Sequence, residues 1–104
     1  GTLGRLASPR RVVLWGAGKE SRPWLRWLLR EGHEIPVIVD VDPRKLGSLR
    51  QGRVPVVPPE ELARIQADLC LVLVGARGAR AQIRRALAEL RPDWREGEHW
   101  LAVR

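Results

Sequence analysis

The sequence contains no methionine, tyrosine or phenylalanine and only one cysteine, Cys70, among its 104 residues. A lone cysteine cannot form an internal disulfide bond, which is typical of a reducing compartment, and we expect a cytoplasmic protein. No apolar run approaches the roughly 20 residues of a membrane-spanning helix, and no signal-peptide pattern opens the chain. Because methionine is missing even at position 1, we expect a piece of a longer protein.

Long basic runs are also missing, although the net charge is +7 and the isoelectric point is about 11.3. The positive charge is almost all arginine, it is scattered along the chain, and no basic run exceeds two residues. Nucleic acid is therefore not expected as a partner. Clusters of Cys and His with metal-ligand spacing and nucleophiles beside a base are absent too, so we predict neither a metal site nor catalytic residues.

Short apolar runs alternate with amphipathic stretches, which predicts an α/β fold: a small Rossmann-like three-layer domain with a mostly parallel sheet of about 4–5 strands and helices on both faces. It covers residues 11–104, after a flexible segment at 1–10. Pro55 indicates an edge or irregular position for the strand at 54–57, and 41–53 is predicted to be a loop. The predicted strands are 12–15, 35–39, 54–57, 69–74 and 98–103, and the predicted helices are 21–32, 58–66 and 79–91.

The stretch "WGAGKES" at 15–21 follows the first strand and resembles a dinucleotide-binding turn. Gly16 allows a tight turn, Gly18 lets a phosphate approach the backbone, and the following helix favours an anion at its start. Ser21 replaces the third glycine of the complete fingerprint, and we read it as the helix cap. Asp40 lies about 20 residues further on, where an acidic residue contacts a ribose. The predicted binding residues are Gly16, Ala17, Gly18, Lys19, Ser21, Asp40, Asp42, Gly75, Ala76, Arg77 and Gly78.

The identity of the ligand stays open at this point. The two glycines alone are compatible with a simple tight turn, and a nucleotide becomes the better interpretation because the turns at 16–18 and 75–78 and Asp40 follow neighbouring strands. An acid at position 40 repels a 2′-phosphate, which favours NAD or a nucleotide-sugar over NADP, although Arg44 or Lys45 softens that preference. We expect Trp15 to pack on the first helix, with packing on a base of the ligand as the alternative, and we expect His33 to face solvent.

Several segments together resemble a known family: "VVLWGAGKESRPWLRWLLREG", "VIVDVDPRKLG", "GRVPVVPPEEL", "LCLVLVGARGARAQIRRAL" and "REGEHWLAV". The set looks like the Rossmann-like domain at the carboxyl end of some bacterial family 2 glycosyltransferases. It is also similar to the nucleotide-sugar-binding domains of sugar acyltransferases and to domains of sugar C-methyltransferases. The resemblance spans residues 11–104 and implies an accessory domain, with the transferase chemistry in the remainder of a parent chain.

Three functional hypotheses follow. The first is an accessory module that binds NAD or a nucleotide-sugar in a carbohydrate-modifying protein. The second is a fragment of an NAD(P)-dependent oxidoreductase, which would need a substrate domain and an acid or base that this chain lacks. The third is an interaction domain without a ligand. The sequence does not specify an oligomeric state.

Overall fold

The computed structural model describes residues 6–103, which form a six-stranded sheet with helices on both faces. This confirms the predicted α/β class, although the sheet has six strands instead of 4–5. Part of the segment expected to be flexible, residues 1–5, lies outside the described residues, and Leu6 is buried in the core. The elements are β1 (Val12–Trp15), α1 (Ser21–Arg30), β2 (Ile38–Val39), β3 (Leu49–Arg50), β4 (Val54–Val57), a 3₁₀ helix (Pro59–Arg64), β5 (Leu69–Val72), α2 (Ala79–Leu90) and β6 (Trp100–Ala102).

The strand order is β3-β4-β2-β1-β5-β6, and every neighbouring pair is parallel except β3 and β4. From β1 the chain builds the sheet outward through β2 to β3, then returns to place β5 on the other side of β1. The order therefore reverses between β1 and β5. In open sheets of this kind, ligands bind beyond the carboxyl ends of the strands at such a reversal.

Alternation along β1 divides the core between the two faces of the sheet. Val12 and Leu14 pack with Leu25 and Leu28 of α1. Val13 and Trp15 belong to a second cluster, which includes the following residues of the 3₁₀ helix and α2: Leu62, Ile83 and Leu87. The expectation that Trp15 packs on the first helix is wrong, since the alternation sends its side chain to the opposite face.

The segment 41–53, predicted as a loop, contains strand β3, which pairs with β4 in an antiparallel hairpin. As a result β4 is not an edge strand, which contradicts the first of the two positions expected from Pro55. Neither Pro36 nor Pro55 has an N–H group to donate. The ladder between β2 and β4 accordingly begins after both of them, at Ile38 and Val56. The same constraint shortens β2 from the predicted 35–39.

The turn of this hairpin holds a non-glycine residue in the left-handed region. The carbonyl of Arg50 accepts a hydrogen bond from Arg53, and both central residues, Gln51 and Gly52, have positive φ (50° and 71°). This is a type I′ turn, in which asparagine or glycine is strongly preferred. Gln51→Asn is expected to raise the free energy of unfolding by about 0.5–1 kcal/mol, measured by urea denaturation. An unchanged or lower value would contradict the assignment of strain to this position.

His33 is buried, with 4% of its surface exposed, and does not face solvent as predicted. Its Nδ1 atom accepts a hydrogen bond of 3.0 Å from the backbone N–H of Arg10, and its ring lies against that of Trp27. The ring thus ties the chain before β1 to the end of α1. A polar residue after a helix cap gives no sequence signal for such a contact.

Cys70 is fully buried in β5, and burial raises the pKa of its thiol from 9.0 to about 12. A thiol reagent at pH 8 is expected to leave the folded protein unmodified and to react with one thiol per chain after unfolding. Because unfolding restores the ordinary pKa, the stability that the neutral thiol contributes is present below pH 9 and declines as the pH rises toward 12. Modification of the native protein at pH 8 would contradict this burial.

Candidate functional site

A cavity of about 610 Å³ lies at the carboxyl ends of β1, β2 and β5, on the face of the sheet covered by α2. Its volume is typical of small-molecule sites. One wall is the glycine turn after β1, and the opposite wall is the segment after β5. The α2 side carries four apolar residues, which suit a planar base, together with the polar Gln82 and Glu89; the apolar ones are Ala79, Ile83, Ala86 and Leu90.

Gly16 is required by the fold. Its φ is +121°, and a Cβ atom there would lie 3.0 Å from Cγ2 of Val74. Its N–H donates a 2.7 Å hydrogen bond to the carbonyl of Val39, which joins the end of β1 to the end of β2. The turn is therefore held closely against two neighbouring strands.

Gly18 has a different role, because its φ is ordinary and a Cβ atom would meet only the end of the Glu20 side chain, at 3.1 Å, and Nζ of Lys45, at 3.9 Å. Nothing in the backbone of the described chain requires glycine here. The absence of a side chain instead leaves the start of α1 accessible from the cavity. In the described part of the chain, the N–H groups of Gly18, Lys19 and Glu20 have no hydrogen-bond partner, which is the arrangement that holds anions at helix N-termini.

Ser21 was predicted to be the cap of α1, but it is the first residue of the helix. The N-cap is Glu20, whose side chain makes no capping hydrogen bond. The Ser21 hydroxyl donates back to the carbonyl of Gly18 over 2.8 Å. Ser21 is buried, so its side chain fixes the turn and does not line the cavity.

Asp40 follows β2 and is buried, with 8% of its surface exposed. Its Oδ2 accepts the N–H of Ala17 and its Oδ1 accepts the N–H of Asp42, each over 2.8 Å. Nζ of Lys45 lies 4.0 Å from Oδ2. Each carboxylate oxygen has two lone pairs, so the carboxylate holds the glycine turn in place and keeps acceptor capacity toward the cavity.

Asp42 lies outside the cavity lining. Its carboxylate binds the guanidinium of Arg44 at 3.2 Å and accepts the N–H of the same residue. The hydrogen bond to the Arg44 side chain lowers the pKa of Asp42. Arg44 is thereby turned away from Asp40, and Lys45 becomes the cation beside the buried acid.

The second glycine turn contributes only its first half to the cavity. Gly75 and Ala76 line it, whereas Arg77 and Gly78 do not. Gly78 instead begins α2 as its N-cap with φ +80°. Lys19 is exposed and does not line this cavity either.

Of the predicted site residues, the cavity therefore brings together Gly16, Gly18, Asp40, Gly75 and Ala76. The list of predicted binding residues lacked four charged lining residues, Glu20, Lys45, Glu60 and Glu89, and it lacked the inner side of α2. The repeat of small and apolar residues at 79, 83 and 86 was a signal for that side, since it places one helix face toward the sheet. Among residues 6–103 no group of three potential ligands could hold a metal ion, and no helix is long and apolar enough to cross a membrane.

Comparison with known proteins identifies the class to which the fold belongs. No protein-family model and no curated protein matches the chain. Solved structures of similar fold include RSP, a Rex-family repressor, and UDP-D-quinovosamine 4-dehydrogenase from Vibrio fischeri. The fold is Rossmann-like.

For RSP with β-NADH, the identity is 17% and the TM-score 0.68, with 98% of this chain and 57% of RSP covered. For RSP with β-NAD+ and operator DNA, the identity is 18% and the TM-score 0.66, with 96% of this chain and 52% of RSP covered. For the dehydrogenase, the identity is 24% and the TM-score 0.64, with 80% of this chain and 73% of the dehydrogenase covered. This chain thus spans about half of the RSP chains, and none of these structures is named a glycosyltransferase.

Proposed function

We propose that this chain is a nucleotide-binding module and that its ligand is NAD, bound in the cavity at the carboxyl ends of β1, β2 and β5. The single observation that carries the proposal is the geometry at Gly18. The position lacks a side chain although the fold tolerates one, and the backbone N–H groups of residues 18–20 have no hydrogen-bond partner in the described chain. A phosphate at this point takes the place of the missing Cβ atom, and the flexible Glu20 side chain, whose Oε2 lies 3.1 Å from that place, moves away from it.

Asp40 supports a ribose beside that phosphate. Its carboxylate is fixed by two backbone N–H groups and is oriented before a ligand arrives, so a ribose diol can donate to its remaining lone pairs. The apolar wall of α2 then receives the base. The RSP structures, in complexes with β-NAD+ and β-NADH, add support from proteins of the same fold.

NAD is preferred to NADP in this proposal because a 2′-phosphate would meet the Asp40 carboxylate. Lys45, 4.0 Å from that carboxylate, reduces the repulsion. A nucleotide-sugar uses the same phosphate and ribose contacts and is the second candidate ligand. The similar fold of UDP-D-quinovosamine 4-dehydrogenase is the reason to include a nucleotide-sugar in the test.

We further propose that the module serves a longer carbohydrate-modifying protein, with a glycosyltransferase as the parent expected from the sequence resemblance. The cavity favours binding over chemistry, since its lining contains no histidine, cysteine, serine or tyrosine. A dehydrogenase fragment would need a substrate domain from the remainder of a parent chain. Nucleic acid stays outside the proposal, as predicted from the scattered basic residues.

Calorimetric titration of the purified domain with NAD+, NADH, NADP+ and a UDP-sugar tests the proposal. We expect NAD+ or NADH to bind, and NADP+ to bind more weakly. If the UDP-sugar binds more tightly than NAD+ and NADH, the ligand is the second candidate, a nucleotide-sugar. If none of the four ligands gives a heat of binding or raises the melting temperature, nucleotide binding is overturned. The hypothesis of an interaction domain without a ligand would then remain.

A further inference from the structure

A second cavity, of about 320 Å³, lies on the opposite face of the sheet, between the start of α1 and the β3–β4 hairpin. Its apolar floor contains Leu25 and Ile38. It meets the first cavity at Gly18 and Lys45, which line both. No carboxylate lines it, and its basic residues are Lys19, Arg22, Lys45 and Arg50.

The positive charge in this second cavity is largely uncompensated. The half-buried guanidinium of Arg50 donates only to neutral oxygens, Oγ of Ser48 at 2.7 Å and the carbonyl of Ala17 at 3.4 Å. Among residues 6–103 no carboxylate forms an ion pair with Lys19, Arg22 or Arg50. Partly burying a cation without a counter-charge is costly, and an anion in the cavity would remove that cost.

We propose that the second cavity binds a phosphate group. Arginine presents donors in a planar fork that matches phosphate oxygens, and Arg50 is already held in position by its two hydrogen bonds. Lysine adds charge without a fixed geometry. The phosphate belongs either to a free phosphate or pyrophosphate ion or to one of the two phosphates of the nucleotide, because the two cavities meet at Gly18 and Lys45. The second source rests on the proposed function. The proposal goes beyond nucleotide binding, because it stands on residues of the other face.

Titration with inorganic pyrophosphate at low ionic strength tests the site directly. Arg50→Gln and Arg22→Gln are each expected to weaken pyrophosphate binding about tenfold, because each removes one charge-assisted contact. Arg53→Gln is the matched control, since Arg53 is exposed in the same hairpin and lies outside both cavities. The side chain of Arg22 has no hydrogen-bond partner in the described chain, so Arg22→Gln still tests the site if Arg50→Gln disturbs the hairpin.

The same variants titrated with NAD separate the two sources. Weakening of pyrophosphate binding alone indicates a free phosphate ion, and weakening of NAD binding as well indicates a phosphate of the nucleotide. Absence of pyrophosphate binding in the unmodified protein, or equal weakening by Arg53→Gln, overturns the proposal. Pyrophosphate binding without NAD binding would refute the nucleotide proposal and leave this one intact.

Discussion

Gly16→Ala is expected to lower the free energy of unfolding by about 2–4 kcal/mol. Two costs combine: the left-handed backbone strains any residue with a Cβ atom, and that atom meets Val74 in a packed region. Urea denaturation monitored by tryptophan fluorescence measures the change.

Gly32→Ala separates the two costs. Gly32 also has a positive φ, of +88°, but a Cβ atom there meets nothing within 4 Å. We expect a loss of about 1–2 kcal/mol, from backbone strain alone. If Gly16→Ala costs no more than Gly32→Ala, the close packing of the turn against the segment after β5 is wrong.

Gly18→Ala is expected to leave the fold intact and to weaken NAD binding by at least about tenfold. The backbone at Gly18 is ordinary, and only the flexible end of Glu20 must shift, so the free energy of unfolding should change by less than about 1 kcal/mol. In the complex, however, the new methyl group would occupy the space of the phosphate. Calorimetry gives the affinity, and urea denaturation gives the stability of the same sample.

Asp40→Asn is a suitable second variant for testing NAD binding beside Gly18→Ala, whereas Asp40→Ala is not. Alanine would leave the N–H groups of Ala17 and Asp42 without their acceptor, so it would perturb the turn as well as the ligand contact. Asparagine keeps one oxygen and removes the charge. Unchanged NAD affinity in both Gly18→Ala and Asp40→Asn would contradict the assignment of the nucleotide to this cavity.

The buried strands and α helices were predictable because their signal is local. The apolar run of β1 and the periodic helix α2 determine their own type, and Gly16 and Asp40 follow strands whose carboxyl ends meet at one edge. Strand β3 was not predictable, since two residues are too short for an alternating pattern. Its existence depends on pairing with β4.

Lys45 was named with Arg44 as a cation that softens the preference against NADP, but it was not predicted to be a binding residue, for a similar reason. Its position beside Asp40 depends on the folded loop, in which its N–H binds the carbonyl of Asp42 and its carbonyl accepts the N–H of Ser48. Lys19 carries the same charge and lies within the glycine turn, yet its side chain is exposed outside the first cavity. Sequence adjacency to a motif therefore did not identify the cation nearest to the acid.

The most direct test of the account is an NMR titration of the ¹⁵N-labelled domain with NADH. The account predicts that the largest amide shifts fall on residues 17–20, on Asp40 and on Gly75 and Ala76, with small changes near His33, which lies at the amino ends of the strands. Shifts of the turn residues should vanish in Gly18→Ala at the same NADH concentration. No shifts at all, or shifts centred away from the carboxyl ends of β1, β2 and β5, would contradict nucleotide binding in this cavity.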